Sequence, residues 1–338
     1  MAEGTRSIGR HLAVWGGILV STVILGYLAI NLDWATLGRE FQRVKLLYVP
    51  ALLLILLVTF WIRALRWRHL LPTEAKLSRL RLFEATVVGF TASFILPLRA
   101  GEFVRPWVLS RWQPVGFSTA FASIVTERVF DALSLISLLG LLLGQHDKMP
   151  AFVATGANIL AVVALGILAI MVYTYCCADQ TSRFAKRIVS SILGRRFPKL
   201  TTKLLGMLDG FLDGLRAISS FKELAFVIFW SFTLWLGHVL LYQCGLWAFG
   251  IHPSWWIGVA LCVMIALAVA APGAPGFIGT FQLGCIVALG LYGLSEEFAV
   301  AYSVVQHALQ VVATVLLGLA ILHKRGLHLA DLKQHSHK

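Results

Sequence analysis

From Leu224 to Ser295 the chain contains no Asp, Glu, Lys or Arg, an interval of 72 residues. A stretch of that length without a charge cannot all be hidden in the core of a water-soluble domain. Two Pro/Gly breaks divide it, Gly250-Ile251-His252-Pro253 and Pro272-Gly273-Ala274-Pro275-Gly276. The resulting pieces are Leu224–Phe249, Ser254–Ala271 and Phe277–Gly293. Crossing a bilayer takes about 20 apolar residues, so the first piece spans and the other two are short. The whole chain is 58% hydrophobic and 13% charged, against about 25% charged in soluble domains. With no water in the hydrocarbon layer the backbone must satisfy itself, and helices do so within each segment. The fold expected is all-α, a polytopic integral membrane helical bundle.

The remaining spans follow from the same reading: Leu12–Ile30, Leu46–Ile62, Phe117–Gly144, Phe152–Tyr175 and Phe298–Leu322. The first is too long for a signal-peptide core and no A-x-A site follows it, so it is expected to stay uncleaved. The net charge of +13 falls in short basic stretches between apolar runs. That is the positive-inside pattern rather than a nucleic-acid surface. It puts both termini in the cytoplasm. Between the halves, residues 183–222 are basic with apolar positions three and four apart (Phe184, Ile188, Ile192, then Leu204, Leu208, Phe211), as in an amphipathic segment on the membrane face or docked on the core. The expected organisation is one transmembrane domain, with an N-terminal half over 12–175, this segment, and a C-terminal half over 223–325.

The segment Ala85–Leu98 holds only 14 residues before Pro97-Leu98-Arg99-Ala100-Gly101-Glu102. Loop charges place its two ends on the same side, so it is expected to enter the membrane and turn back. A span, a broken element and a span then occur twice, in opposite directions. This is an inverted-topology repeat with two re-entrant or broken helices, and a binding site is expected between the halves.

Polar residues inside the spans are the candidates for function. Span Phe117–Gly144 reaches membrane length only if Glu127, Arg128 and Asp131 lie inside it. Such groups are costly in the bilayer and need partners or a wet cavity. Arg99, Glu102 and Arg105 stand at the first break. Three acids and three bases would sum to zero, either as a structural ion network or as a polar path for a lipid headgroup. Guanidinium groups suit a phosphate by two-pronged hydrogen bonding. At the second break, Pro272, Gly273, Pro275, Gly276 and Gly279 free backbone amides that could bind an anion, with Gln282 just beyond, or merely kink the helix. His238, Gln306, His307 and Gln310 could relay protons or be hydrogen-bonded core residues. The five cysteines read as apolar fillers, and no metal-ligand spacing, cofactor motif or catalytic residue is found. The pairs Trp61/Trp67 and Trp255/Trp256 read as interface anchors.

Four stretches together resemble a known family: Arg63-Ala64-Leu65-Arg66-Trp67-Arg68-His69, Leu96-Pro97-Leu98-Arg99-Ala100-Gly101-Glu102-Phe103-Val104-Arg105, Glu127-Arg128-Val129-Phe130-Asp131, and Pro272-Gly273-Ala274-Pro275-Gly276-Phe277-Ile278-Gly279. The chain is similar, over nearly its whole length, to the transmembrane domain of lysylphosphatidylglycerol synthases and its free-standing flippase-like relatives, the hopanoid-biosynthesis-associated branch among them. The resemblance implies movement of a lipid across the bacterial inner membrane, with no synthase activity expected from a chain ending at Lys338. It adds Arg63 and Arg66 to the candidate substrate contacts.

The expected function is therefore a non-enzymatic lipid transporter for a modified phospholipid, a hopanoid or a polyprenyl-linked lipid. No nucleotide-binding G-x-x-x-x-G-K-[ST] motif occurs, so its energy would come from a gradient. The expected partners are membrane lipids and lipid-biosynthesis enzymes at the cytoplasmic face. Two rivals stand beside it. One is an intramembrane headgroup transferase or hydrolase with Glu127 or Asp131 as base. The other is a scaffold for membrane synthases that docks through residues 183–222.

Overall fold

The computed structural model describes residues 32–72, 76–96, 100–143, 178–193, 221–270 and 274–327, with isolated positions within 19–30, 155–173 and 201–206. Helices and turns account for the regular structure, and no strand occurs among the described residues. The chain is an all-α polytopic membrane bundle. Its helices are α1 (Trp34–Gln42), α2 (Val49–His69), α3 (Arg79–Ile95), α4 (Gly101–Trp112), α5 (Phe117–Leu143), α6 (Ala178–Leu193), α7 (Phe221–Ala248), α8 (Trp255–Ala270), α9 (Thr280–Gly290) and α10 (Glu296–Lys324).

Local sequence explains where the long helices begin and end. Helix α2 starts with Pro50 in its first turn, where a missing N–H costs nothing, and ends on Arg66, Arg68 and His69, cations beside the negative end of the dipole. Helix α10 is capped by Ser295, whose hydroxyl accepts from Phe298 N. Glu296 and Glu297 occupy its first turn and His323 and Lys324 its last. The segments Leu46–His69, Lys222–Ala248 and Glu296–Lys324 are each long and apolar enough to cross a membrane. Helix α5 is as long, at 27 residues, but carries Glu127, Arg128 and Asp131.

Helices α2 and α7 lie side by side and antiparallel. Lys45 N donates to Ala248 O at 2.7 Å, Thr59 abuts Gly237, Arg66 Nη1 donates to Ser231 Oγ at 3.1 Å, and His69 meets Glu223 at 2.6 Å. The partner number falls as the α2 number rises. The first long helix of one half thus runs against the first long helix of the other, which is the relation an inverted repeat requires.

Each half also contains a helical hairpin, and glycine closes both. A Cβ at Gly101 on α4 would collide with the Gly89 carbonyl and the Ser93 hydroxyl of α3. A Cβ at Gly284 on α9 would lie 2.6 Å from Ile265 Cα on α8. Hairpin α3–α4 packs along the C-terminal half of α10. There Arg325 grips the Glu84 carboxylate with two nitrogens, the shorter contact 2.6 Å, and Thr91 Oγ1 donates to Thr314 O at 3.0 Å. Hairpin α8–α9 shares a core with the N-terminal half of α10, Ala288 and Leu289 lying with Phe298 to Tyr302. The two tips meet where the rings of Phe94 and Phe277 are 6.0 Å apart. The hairpins therefore approach from opposite ends of α10.

The first hairpin differs from the expectation of a lone segment Ala85–Leu98. Its helix starts six residues earlier, at Arg79, and a 12-residue return arm follows with Pro106 inside it. The base is polar without being a loop. Arg81 lies 3.6 Å from Glu84 and over the Trp112 ring, which Arg325 also approaches. Helix α6 begins the amphipathic segment and exposes Phe184 and Ile188. Most of 194–220, and most of the expected span Phe152–Tyr175, lie outside the described residues.

Candidate functional site

Three helices bring charge together inside the bundle. On α2, Arg63 and Arg66 are three apart and share a face, as do Glu127 and Asp131, four apart on α5. Helix α4 adds Arg105. Glu127 Oε1 accepts from Arg63 Nη1 at 2.9 Å, Arg105 Nη1 at 2.9 Å and Arg128 Nη2 at 3.1 Å, and Arg66 Nη2 stands 3.1 Å from the same oxygen as an ion pair. Asp131 Oδ1 accepts from Arg66 Nη1 at 2.7 Å. Its Oδ2 lies 3.2 Å from Arg128 and 3.6 Å from Arg63. Glu127 and Arg66 are wholly buried, whereas the Arg128 side chain is 43% exposed.

The charge is not balanced. Four guanidinium groups contact two carboxylates, which gives 4 − 2 = +2. Glu102, half-buried and acting on Arg128 by charge, lowers the sum among the described residues to +1. The neutral set expected from sequence is corrected by Arg63 and Arg66, which join it from the end of α2. Arg99 lies outside the described residues. Hydrogen bonding is also incomplete. Arg66 Nε and Nη2, Arg105 Nε and Nη2, and Glu127 Oε2 are buried without a hydrogen-bond partner among the described residues. Buried donors left unmade cost about 1–3 kcal/mol each, more when charged. A positive site with spare N–H groups has the chemistry to accept an anion.

Aromatic rings hold the guanidiniums in place. Arg105 Cζ lies 3.9 Å from the Trp67 ring centroid and Arg63 Cζ lies 5.0 Å from that of Phe90. Trp67 is fully buried and donates its indole N–H to Ser123 Oγ at 2.7 Å. It is not the interface anchor expected, because it fills the space between α2, α4 and α5. Trp61 and Trp255 are exposed, as anchors should be.

The second break forms a neutral polar centre. Pro275–Phe277 make a single 3-10 turn, and Gly276 and Gly279 hold φ of 73° and 88°. Pro272 and Gly273 lie outside the described residues. Two of the freed amides are already occupied. Ala274 N donates to Ser21 Oγ at 3.1 Å and Gly279 N to Gln282 Oε1 at 2.7 Å, while Ser21 Oγ donates to Ile278 O. The backbone there is thus less free for an anion than the sequence suggests. Gln282 Nε2 lies 3.4 Å from His307 Nδ1, and the Phe281 ring stacks on the imidazole at 4.4 Å. The other polar residues of this set make ordinary core contacts: His238 with Leu234 O, Gln306 with Leu241 O, Gln310 with Gln306 O.

Residues 14–318 match the lysylphosphatidylglycerol synthase TM region. The chain belongs to this family. Among curated relatives, the lysylphosphatidylglycerol synthase TM-region chain is similar to "Glycosyltransferase AglD" of Haloferax volcanii, 24% identical over 92% of this chain and 54% of the relative. It is also similar to two UPF0104 membrane proteins of Methanothermobacter thermautotrophicus. One is 22% identical over 86% of this chain and 88% of the relative, the other 27% over 75% and 77%. The chain spans about half the length of AglD. No solved structure matches it. Six of the residues the family resemblance singled out, Arg63, Arg66, Arg105, Glu127, Arg128 and Asp131, meet at one point. Sequence reasoning missed Trp67 and Ser231 as their supports. Trp67 was signalled by its place four residues after Arg63, on the same helical face.

Proposed function

We propose that the chain moves an amphipathic lipid across the bilayer without altering it chemically. The reading is carried by one observation, the buried arginine cluster with its positive balance and spare donors, of which the Arg128 side chain is partly exposed. Four guanidiniums and two carboxylates in an apolar bundle are costly to maintain as mere scaffolding, since a well-packed apolar set is often as stable. An anionic lipid headgroup would use both the charge and the unpaired N–H groups. Glu127 is an unconvincing base for a headgroup enzyme, because one oxygen is committed to four cations. Membership of a lipid-related membrane family and the paired hairpins support the same reading. The basic segments set the proposed orientation, both termini in the cytoplasm of a bacterial inner membrane. Lipid-biosynthesis enzymes are the proposed partners at that face.

The test is translocation of a labelled phospholipid in reconstituted vesicles at matched protein incorporation. Arg66→Lys keeps the charge but loses the planar fork that reaches Asp131 and Ser231. Its rate should fall at least about tenfold, a loss of about 1.4 kcal/mol in barrier terms. Wild-type rates in this variant, or no translocation by the wild-type protein, would overturn the proposal.

A further inference from the structure

The two halves match in geometry but not in chemistry. Arg66 is residue 18 of α2 (66 − 49 + 1) and His238 is residue 18 of α7 (238 − 221 + 1). Glu127 is residue 11 of α5 and His307 residue 12 of α10, by the same count. On the return arm of each hairpin one polar side chain reaches the centre of its long helix, Arg105 to Glu127 and Gln282 to His307. The first half thus builds a cationic station where the second builds a neutral one.

The second station also has an unmet donor or acceptor. His307 is 5% exposed, and its Nε2 is buried with no hydrogen-bond partner among the described residues, although the Gly276 carbonyl faces the ring. The Phe281 ring stacks on the imidazole, the Phe94 ring lies 6.4 Å from it, and Phe277 in turn meets Phe94 edge-on. No acidic side chain touches it among the described residues. The stations are adjacent along α3. Phe90 covers Arg63 and Phe94 lies against His307, and residues four apart are about 6 Å apart along a helix.

We propose that His307 and Gln282 form a binding site for the uncharged, hydroxyl-bearing part of an anionic lipid headgroup, a polyol or sugar, whose phosphate sits among the arginines. The proposal rests on the transport reading and narrows it. Hydroxyls can donate to or accept from an imidazole nitrogen and a carboxamide, and their C–H faces pack on aromatic rings. A cationic headgroup does not fit. It would meet the net positive cluster one turn away, with no free carboxylate beside His307 to offset the repulsion. The lysylated lipid that names the family is therefore a poor ligand for this chain.

The experiment uses the full-length protein in detergent with three probes that share acyl chains. Phosphatidylglycerol carries a phosphodiester and a polyol, phosphatidylethanol the same phosphodiester charge without the polyol, and lysylphosphatidylglycerol a net positive headgroup. Affinity is read from lipid-dependent thermal shifts, and movement from the vesicle assay above. Wild-type protein should prefer phosphatidylglycerol at least about tenfold over each of the others, one pair of hydrogen bonds. In His307→Phe, which keeps the ring stack, phosphatidylglycerol should fall to the level of phosphatidylethanol, whose own binding stays unchanged. Gln282→Leu serves as a second variant. Equal binding of the lysylated lipid, no preference for the polyol, or an equal loss of both anionic lipids in His307→Phe would overturn the site. Should that variant fail to fold, the wild-type preferences alone decide. Selective binding without movement sinks the transport reading and keeps the site. Movement without selectivity does the reverse.

Discussion

The Arg105 guanidinium lies over the buried ring of Trp67, 3.9 Å from its centroid, while its Nη1 reaches Glu127 at 2.9 Å. One side chain from α4 thereby clamps α2 and α5 together. The indole N–H completes the clamp by donating to Ser123 of α5. Desolvated cation–ring contacts are worth about 2 kcal/mol, so this pair positions the charge as well as stabilising the fold.

Trp67→Phe keeps an aromatic face under Arg105 but removes the bond to Ser123 and part of the ring. The variant should unfold about 1–2 kcal/mol more easily in detergent, from the lost hydrogen bond and the small cavity. Trp61→Phe, at an exposed position, serves as the control and should be within about 0.5 kcal/mol of wild type. Equal stability of the two variants would show that Trp67 only fills space.

Glu127→Gln leaves four guanidiniums around a neutral amide. Breaking a buried pair from one side costs about 3–5 kcal/mol, so expression and midpoint of denaturation should both drop sharply. Combining it with Arg105→Gln should give less than the sum of the two losses, with a coupling of about 0.5–3 kcal/mol. Additive losses would mean that the two side chains do not act on each other.

The first hairpin closes through Gly101. Gly101→Ala drives a methyl into the Gly89 carbonyl and should destabilise by about 1–3 kcal/mol or more, because backbone on both sides must move. Gly140→Ala on α5 meets nothing within 4 Å and should be neutral or stabilising, since alanine favours a helix by about 1 kcal/mol. Circular dichroism melts of the two proteins in one detergent decide the matter.

Ser21 is the tie between the first span and the second break, accepting from Ala274 N and donating to Ile278 O. Ser21→Ala orphans both backbone groups, at about 1–3 kcal/mol for each that stays buried. Faster hydrogen exchange should appear around Ala274–Gly279 and leave α2 unchanged. Uniform protection across both regions would remove Ser21 from that role.

The long apolar helices Leu46–His69, Lys222–Ala248 and Glu296–Lys324 and the two breaks were legible because apolar length and Pro/Gly are local signals. The burial of Glu127 and Asp131 was legible too, since α5 cannot reach membrane length without them. Arg63 and Arg66 were harder to place. At the end of an apolar run they look like the basic flank that orients a span, and only the packing of α2 on α5 and α7 turns them inward. The return arm α4 was invisible for a related reason. It is buried on several sides, so no stripe of period 3.6 marks it, and Pro106 reads as a breaker. The His307 and Gln282 pair depends on two helices meeting, which no spacing within either helix reveals.

The unequal count of arginines and carboxylates has an electrical consequence. Charge inside a bilayer feels the transmembrane voltage, at about 2.3 kcal/mol per unit charge moved through 100 mV. With Glu102 counted, an empty site of +1 crossing the whole field would exchange about 2.3 kcal/mol at that voltage. Carrying a monoanion, the site is neutral and exchanges almost nothing with the field. Any rearrangement that shifts this cluster along the membrane normal is thus weighted by voltage mostly when the site is empty; on the proposed transport reading, the return of the empty site, rather than passage of the loaded one, would sense the energised state of the cell.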